Sequence, residues 1–416
     1  MDFNASTSYY VCDLSSFHSY YSRLHGWISL FVCIFGSIAN ILNILVLTRR
    51  EMRSPTNIIL TGLAVADLLV MIDYIPYAFH LYLYRRSRRD TFTYGWTIFV
   101  LFHSNFAQVC HTISICLTLI LAVWRYVAVA KPQQNREWCS YKRTIFAISI
   151  AYIFCPVLCI PVYITTEVRQ QVEVLDSNGM SIKSRNESLI GNTTNTTLYF
   201  VRLTEMAKNH DILKELNFWI YSVVIKLLPC LVLTVVSLKL LQVLLEAKRR
   251  RRKLTNIQEQ HLEKKKSCRR GDKERQTDRT TMMLLAVLLL FLLTELPQGI
   301  LGLFSVLLGP GFFSTCYLML GQYAKICGIF IFYRKYVSNT NKRICQFSGD
   351  VIDMLTLVNS AINFILYCTM SRQFRKTFNE LFCKNCKIPR STAKQICIEN
   401  NGNTGTNHTV TQVTQV

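Results

Sequence analysis

"LLAVLLLFLLTELPQGILGLF" runs from Leu284 to Phe304 and is apolar apart from Thr294, Glu295 and Gln298. A helical run of about 20 apolar residues matches the hydrocarbon thickness of a bilayer. A carboxylate at the centre of such a helix costs about 2.5–3.5 kcal/mol on insertion scales. Glu295, two residues before Pro297, therefore needs a partner.

Working outward, this run is the core of Met282–Leu308, and six others share its character: Trp27–Leu47, Ile58–Leu81, Phe99–Val129, Thr144–Ile164, Phe218–Leu245 and Val351–Met370. The 416-residue chain is 50% hydrophobic yet carries a net charge of +22. A nucleic-acid-binding role would suit the charge alone, but the apolar residues come in long runs with the basic ones between them. The expected fold is an all-α membrane protein, a bundle of seven transmembrane helices (helices 1–7 in chain order). The 16 cysteines mostly lie inside the runs, as small soft hydrophobes rather than a disulfide framework.

Two signals orient the chain. Sequons at Asn4, Asn186, Asn192 and Asn195 fall before helix 1 and between helices 4 and 5, and glycan acceptors belong outside. The loop between helices 5 and 6, residues 246–279, carries "KRRRRK" (Lys248–Lys253) and "KKKSCRR" (Lys264–Arg270), which belong inside. The expectation is a multi-pass plasma-membrane protein with its N-terminus (1–25) outside and its C-terminus inside. No signal peptide is visible in residues 1–25, so helix 1 is expected to act as signal anchor. "YRRSRRD" (Tyr84–Asp90) puts arginines on the outer face; a solvated loop tip is preferred to an acidic-ligand contact.

Polar residues within the runs narrow the family. Helix 2 has "LAVADLL" with Asp67, helix 3 ends in "LAVWRYVAV" with Trp124, Arg125 and Tyr126, and helix 7 has "NSAINFILY" (Asn359–Tyr367). With "MRSPTN" (Met52–Asn57), Pro229 in helix 5 and Pro297 in helix 6, the chain resembles the rhodopsin-like G-protein-coupled receptors. The resemblance implies a buried allosteric sodium site at Asp67, Ser114, Asn359, Ser360 and Asn363, where hydroxyl and amide oxygens suit a small hard cation. It implies a packed triad of Ile115, Pro229 and Phe291 linking ligand pocket to cytoplasmic opening. Trp124, Arg125, Tyr126, Pro297, Asn363 and Tyr367 would serve activation and coupling to a heterotrimeric G protein.

The chain departs from that pattern in three places. Trp124 replaces the acidic neighbour of Arg125, which weakens the resting lock and allows higher basal activity. Phe364 replaces the helix 7 proline. The usual disulfide to the second outer loop is missing at both ends, with Val100 near the expected site. Ala107 stands where amine receptors carry aspartate, and Leu357 where opsins carry the retinal lysine. "CHTISICLTLILAVWRYVAV", "FWIYSVVIKLLPC" and "LLTELPQGILGL" resemble the invertebrate myosuppressin and FMRFamide-like peptide receptors. That likeness implies an extracellular ligand ending in Arg-Phe-amide and coupling through inhibitory G proteins.

The implied ligand-binding residues are Asp73, Gln108, Lys226, Glu295 and Gln298. Lys226 lies one turn before Pro229, and the family layout makes it face Glu295. A buried charge is tolerable when paired, so a Lys226–Glu295 pair is expected. Two readings stand: the peptide's arginine competes for Glu295 and frees helix 6, or the pair is static. Asp73 is the rival partner for that arginine; its alternative is a helix-end hydrogen bond.

After the receptor domain (26–370), "SRQFRKTFNELF" (Ser371–Phe382) reads as an amphipathic helix on the membrane surface, within 371–386. Cys383 and Cys386 are candidate palmitate sites. The tail, 387–416, is expected to be disordered, with threonines for arrestin and a Thr-x-Val end that suits PDZ recognition. Residues 322–349 exceed the short outer loop expected between helices 6 and 7. Phe347-Ser348-Gly349 can be encoded with a splice acceptor and Gly321-Gln322 with a donor, and excision would join Gly321 to Asp350 in frame, so a retained intron is expected. A secondary transporter using Asp67, Lys226 and Glu295 as an ion path is the rival class, but no internal repeat is visible. No nucleophile motif or ligand-spaced histidine cluster appears, so no enzyme activity and no cofactor beyond allosteric sodium are expected.

Overall fold

The computed structural model describes residues 15–84, 87–180, 193–209, 211–258, 286, 289–290, 292–296, 299–300 and 339–382. Eight helices matter here: α1 (Ser15–Leu47), α2 (Pro55–Ala78), α3 (Tyr94–Ala130), α4 (Tyr141–Leu158), α5 (Leu228–Gln258), α6 (helical at 286, 289–290, 292–296 and 299–300), α7 (Asn339–Met370) and α8 (Arg372–Phe382). Among the described residues, five helices are long and apolar enough to cross a membrane: Leu24–Leu47, Pro55–Leu83, Tyr94–Ala130, Tyr141–Thr165 and Ile220–Val243. The apolar part of α7, Met354–Thr369, meets α8 at a 92° bend. α1 packs on α2 and α7, α2 on α3, and α3 on α4 and α5.

Polarity is distributed as lipid requires. Phe31 and Ile153 are each 71% exposed, while Asn40, Asn43, Asp67, Thr112, Ser114, Thr118 and Asn363 are buried. With no water in the hydrocarbon, polar side chains turn toward the bundle interior.

Local chemistry sets the helix ends and irregularities. Ser54 caps α2, its hydroxyl accepting from the Asn57 amide at 3.2 Å, with Pro55 at the first helical position, where its missing N–H is harmless. Proline inside a helix removes a backbone donor, and widened turns lie beside two of them. Phe79–Leu83 follows Pro76, and Ile220–Leu227 precedes Pro229. Lys226 sits in the second of these. α7 has Phe364 in place of proline and runs unbroken, with Phe364 against Phe374 at 6.0 Å and Phe378 at 5.9 Å. Arg375 caps its end, donating to the Cys368 and Thr369 carbonyls at 2.8 and 2.7 Å. Gln373 ties α8 to the Glu51 carbonyl at 2.6 Å.

Two helix starts and one element depart from the sequence reading. α1 begins at Ser15, inside the expected N-terminal segment, because nothing in "SSFHSYYSRLHGW" breaks a helix. α7 begins at Asn339, so residues 339–349 of the expected insertion continue that helix; 322–338 lie outside the described residues. The segment after α4 holds an antiparallel hairpin, β1 (Thr166–Leu175) with β2 (Thr194–Leu203), pairing Thr166 with Leu203 and Leu175 with Thr194. It is the departure from an all-α reading.

Candidate functional site

Lys226 on the widened turn before α5 and Glu295 on α6 meet in a buried ion pair, at 2% and 0% side-chain exposure. Gly299 lets α6 come this close. A Cβ there would stand 3.2 Å from the Leu227 nitrogen and 3.4 Å from the Lys226 Cβ. His111 on α3 completes the cluster, its Nε2 at 2.7 Å from Lys226 Nζ and 3.0 Å from Glu295 Oε1. A ring nitrogen either accepts or donates. Nε2 therefore accepts from the Lys226 ammonium or donates to Glu295, never both. The cluster joins α3, the widened turn before α5, and α6.

One layer away, Asp67 on α2 is 3% exposed. Its Oδ1 accepts from the Ser114 hydroxyl at 2.9 Å and its Oδ2 from the Asn363 amide at 3.1 Å, with a further side-chain hydrogen bond from Ser360. The Ser360 carbonyl accepts from Asn40 on α1 at 3.1 Å. Asn359 is half-buried on the same helix. Three helices thus converge on one carboxylate whose partners among the described residues are neutral, and α1 joins them through the Ser360 carbonyl.

The other expected ligand residues are held separately. Asp73 accepts from His103 Nδ1 at 2.6 Å, and Tyr77 stacks on that imidazole at 4.0 Å. The Asp73 carboxylate thus joins α2 to α3 rather than closing a helix end. Gln108 is 5% exposed and turned along its own helix, its amide 3.4 Å from the Thr112 hydroxyl.

At the C-terminal end of α3, Trp124 donates from its indole to the Thr144 hydroxyl at 3.0 Å, anchoring α3 to α4. The Arg125 Nε is buried and has no hydrogen-bond partner among the described residues. Tyr126 is half-buried. Tyr367 is 2% exposed, its ring 5.7 Å from that of Phe374. Ile115 packs with Ile225, Cys230 and Leu233, with Leu292 and Leu296 of α6 against them, and Pro229 is half-buried beside this group.

Residues 27–385 match the family described as serpentine type 7TM GPCR chemoreceptor Srw. The chain belongs to that family. It is 27% identical over 391 residues to the G-protein coupled receptor dmsr-1 of Caenorhabditis elegans, covering 88% of this chain and 69% of that protein. It is 26% identical over 405 residues to the Sex peptide receptor of Drosophila melanogaster, covering 96% and 82%. The FMRFamide receptor of the same fly is 23% identical over 390 residues, covering 91% of this chain and 57% of that protein. The chain is a multi-pass membrane receptor of rhodopsin-like type, not an enzyme.

Several expected receptor residues lie outside the described residues: Phe291, Pro297, Gln298, Asn4, Asn186, Asn192, Cys383 and Cys386. Asn195 is exposed on β2 opposite Val174. Sequence reading missed His111, His103 and Thr144. The signal available for His111 was the one that flagged Glu295, a titratable residue inside an apolar run. Its neighbours Ser114 and Ile115 in "CHTISIC" were singled out for the sodium site and the packed triad, and His111 just before them was passed over. The solvated reading of "YRRSRRD" is corrected at Arg88, which is ion-paired with Glu173 at 2.7 Å.

Proposed function

We propose that this receptor answers an extracellular peptide ending in Arg-Phe-amide and signals through heterotrimeric G proteins, chiefly of the inhibitory class, at the plasma membrane with its N-terminus outside. The observation that carries this is similarity along nearly the whole chain to proteins named FMRFamide receptor and Sex peptide receptor. Glu295, joined to α5 and α3 by Lys226 and His111, supplies a contact that outward movement of α6 would break. Ligands shift a receptor only through such differential contacts.

The test is G-protein activation in cells expressing the chain, with peptides ending in Arg-Phe-amide against their free acids. Activation by the amides alone is expected, with residues 322–349 deleted as well as present. Silence from both forms, with surface expression confirmed, would overturn the ligand class.

Asp67, Ser114, Ser360 and Asn363 offer only oxygen ligands around an acid whose partners are neutral. That donor set fits sodium. Bound there, the ion would neutralise the carboxylate and bias the bundle between states. Arrestin and a PDZ protein at the tail, and anionic lipid at the basic third loop, remain further proposed partners.

Arg125 lacks an adjacent acid, so basal activity is expected to be high. Trp124→Asp would restore one. An ion pair of about 1 kcal/mol at such a site should cut agonist-independent signalling about fivefold, while Thr144→Val, which removes only the indole's acceptor, leaves it unchanged. Equal basal signalling in all three receptors would remove the lock argument.

A further inference from the structure

The hairpin and the stretch it rests on cannot be joined by a disulfide, because no cysteine lies between Cys33 and Cys110 or between Cys159 and Cys230. A two-stranded hairpin has marginal stability of its own, so something else must hold it. Arg88, in the short helix Arg88–Thr91 that precedes α3, reaches Glu173 on β1 with Nε at 2.7 Å from Oε2 and Nη2 at 3.0 Å from Oε1. The same guanidinium lies 4.9 Å from the Phe92 ring and 5.6 Å from the ring of Phe200 on β2. Those two rings are 4.8 Å apart. One side chain therefore touches both strands and its own helix end.

Backbone contacts extend the seat. The Arg88 amide donates to the Gly179 carbonyl at 3.0 Å, and the Tyr199 amide to the Phe92 carbonyl at 3.0 Å. Thr97 of α3 donates from its hydroxyl to the Tyr199 carbonyl at 3.0 Å. Gly179 has φ +70°, and a Cβ there would meet Ser87 at 2.9 Å, so the chain after β1 lies directly on this segment. Exposed ion pairs contribute little. This one is forked, its side chains are 34% and 19% exposed, and aromatic faces flank it, conditions under which such contacts strengthen.

We propose that the Arg88–Glu173 fork, seated on Phe92 and Phe200, is a non-covalent clamp that fixes the outer hairpin to α3. Arg88 and Glu173 are thereby positioning residues for ligand residence. The ligand part rests on the peptide reading above; the clamp itself does not.

The experiment uses the full-length receptor as wild type, Arg88→Ala, Glu173→Ala and the double variant, with two readouts. Hydrogen exchange of the purified receptor reports on 166–175 and 194–203. Dissociation of a fluorescent peptide ending in Arg-Phe-amide, measured on cells with surface expression normalised, reports on residence. Each single substitution should speed exchange in both strands about five- to thirty-fold, and the double should be no worse than the worse single, as for one shared contact. Peptide dissociation should quicken in parallel, and a reducing agent should leave the wild type unchanged. Unaltered exchange in both single variants would overturn the clamp. Faster exchange with unaltered dissociation would overturn the positioning role. If the wild type binds no peptide, the ligand class fails, and exchange alone still decides the clamp.

Discussion

Lys226→Met is expected to lower the receptor's thermal stability and surface expression more than almost any other single change, and Lys226→Met with Glu295→Leu to recover most of the loss. Removing one partner of a buried pair strands the other charge, a loss of about 3–5 kcal/mol, whereas replacing both with apolar groups is often neutral. His111 tempers the single variants. Without Lys226, its Nε2 can take the hydrogen and donate to Glu295 Oε1, which already lies 3.0 Å away. Without Glu295, it still accepts from Lys226 Nζ at 2.7 Å. Adding His111→Leu to Lys226→Met should therefore be worse than Lys226→Met alone. Melting of detergent-solubilised receptor measures all of these. A double variant as unstable as the worse single would show that the two charges do not stabilise each other.

The same variants separate the two roles left open for Glu295. If the stable double variant responds to peptide at wild-type concentrations, the pair is static. A response lost or shifted beyond tenfold, with expression restored, assigns Glu295 to the switch.

Asp67→Asn is expected to abolish any dependence of agonist affinity on sodium. Coupling between two sites is commonly about 5- to 150-fold and is reciprocal. In the wild type, replacing sodium with a large organic cation at constant ionic strength should raise agonist affinity by a factor in that range. Asparagine keeps the shape and can still bond Ser114 and Asn363, but it lacks the charge a cation needs. Agonist binding measured in both salts decides it: persistent sodium dependence in Asp67→Asn would place the ion elsewhere.

The bundle was legible because lipid leaves few options. Runs of apolar residues long enough to span, interrupted at Asp67, Arg125, Lys226 and Glu295, force those groups inward whatever the details of packing. The Lys226–Glu295 contact followed from that rule together with family layout. His111 did not, because an imidazole in an apolar run is unremarkable until a lysine and a glutamate from two other helices arrive at the same nitrogen. Asp73 found His103 because α2 and α3 pack side by side.

The hairpin and its seat were the least legible. "YRRSRRD" has the composition of a solvated tip, and the hairpin strands "TEVRQQVEVL" and "TNTTLYFVRL" carry no cysteine to mark an anchor. Their partners are 85 residues apart at Arg88 and Glu173, a separation that leaves no local periodicity to read.

By itself, then, the sequence determined that this chain spans a membrane as a receptor-like helical bundle with charges buried inside it, because run length and polarity obey the bilayer. Only the tertiary structure decided which groups meet Lys226, Glu295 and Asp67 and which side chains touch the hairpin. Ion pairs and stacked rings form between side chains whose meeting depends on how separate helices pack, and no single segment contains that information.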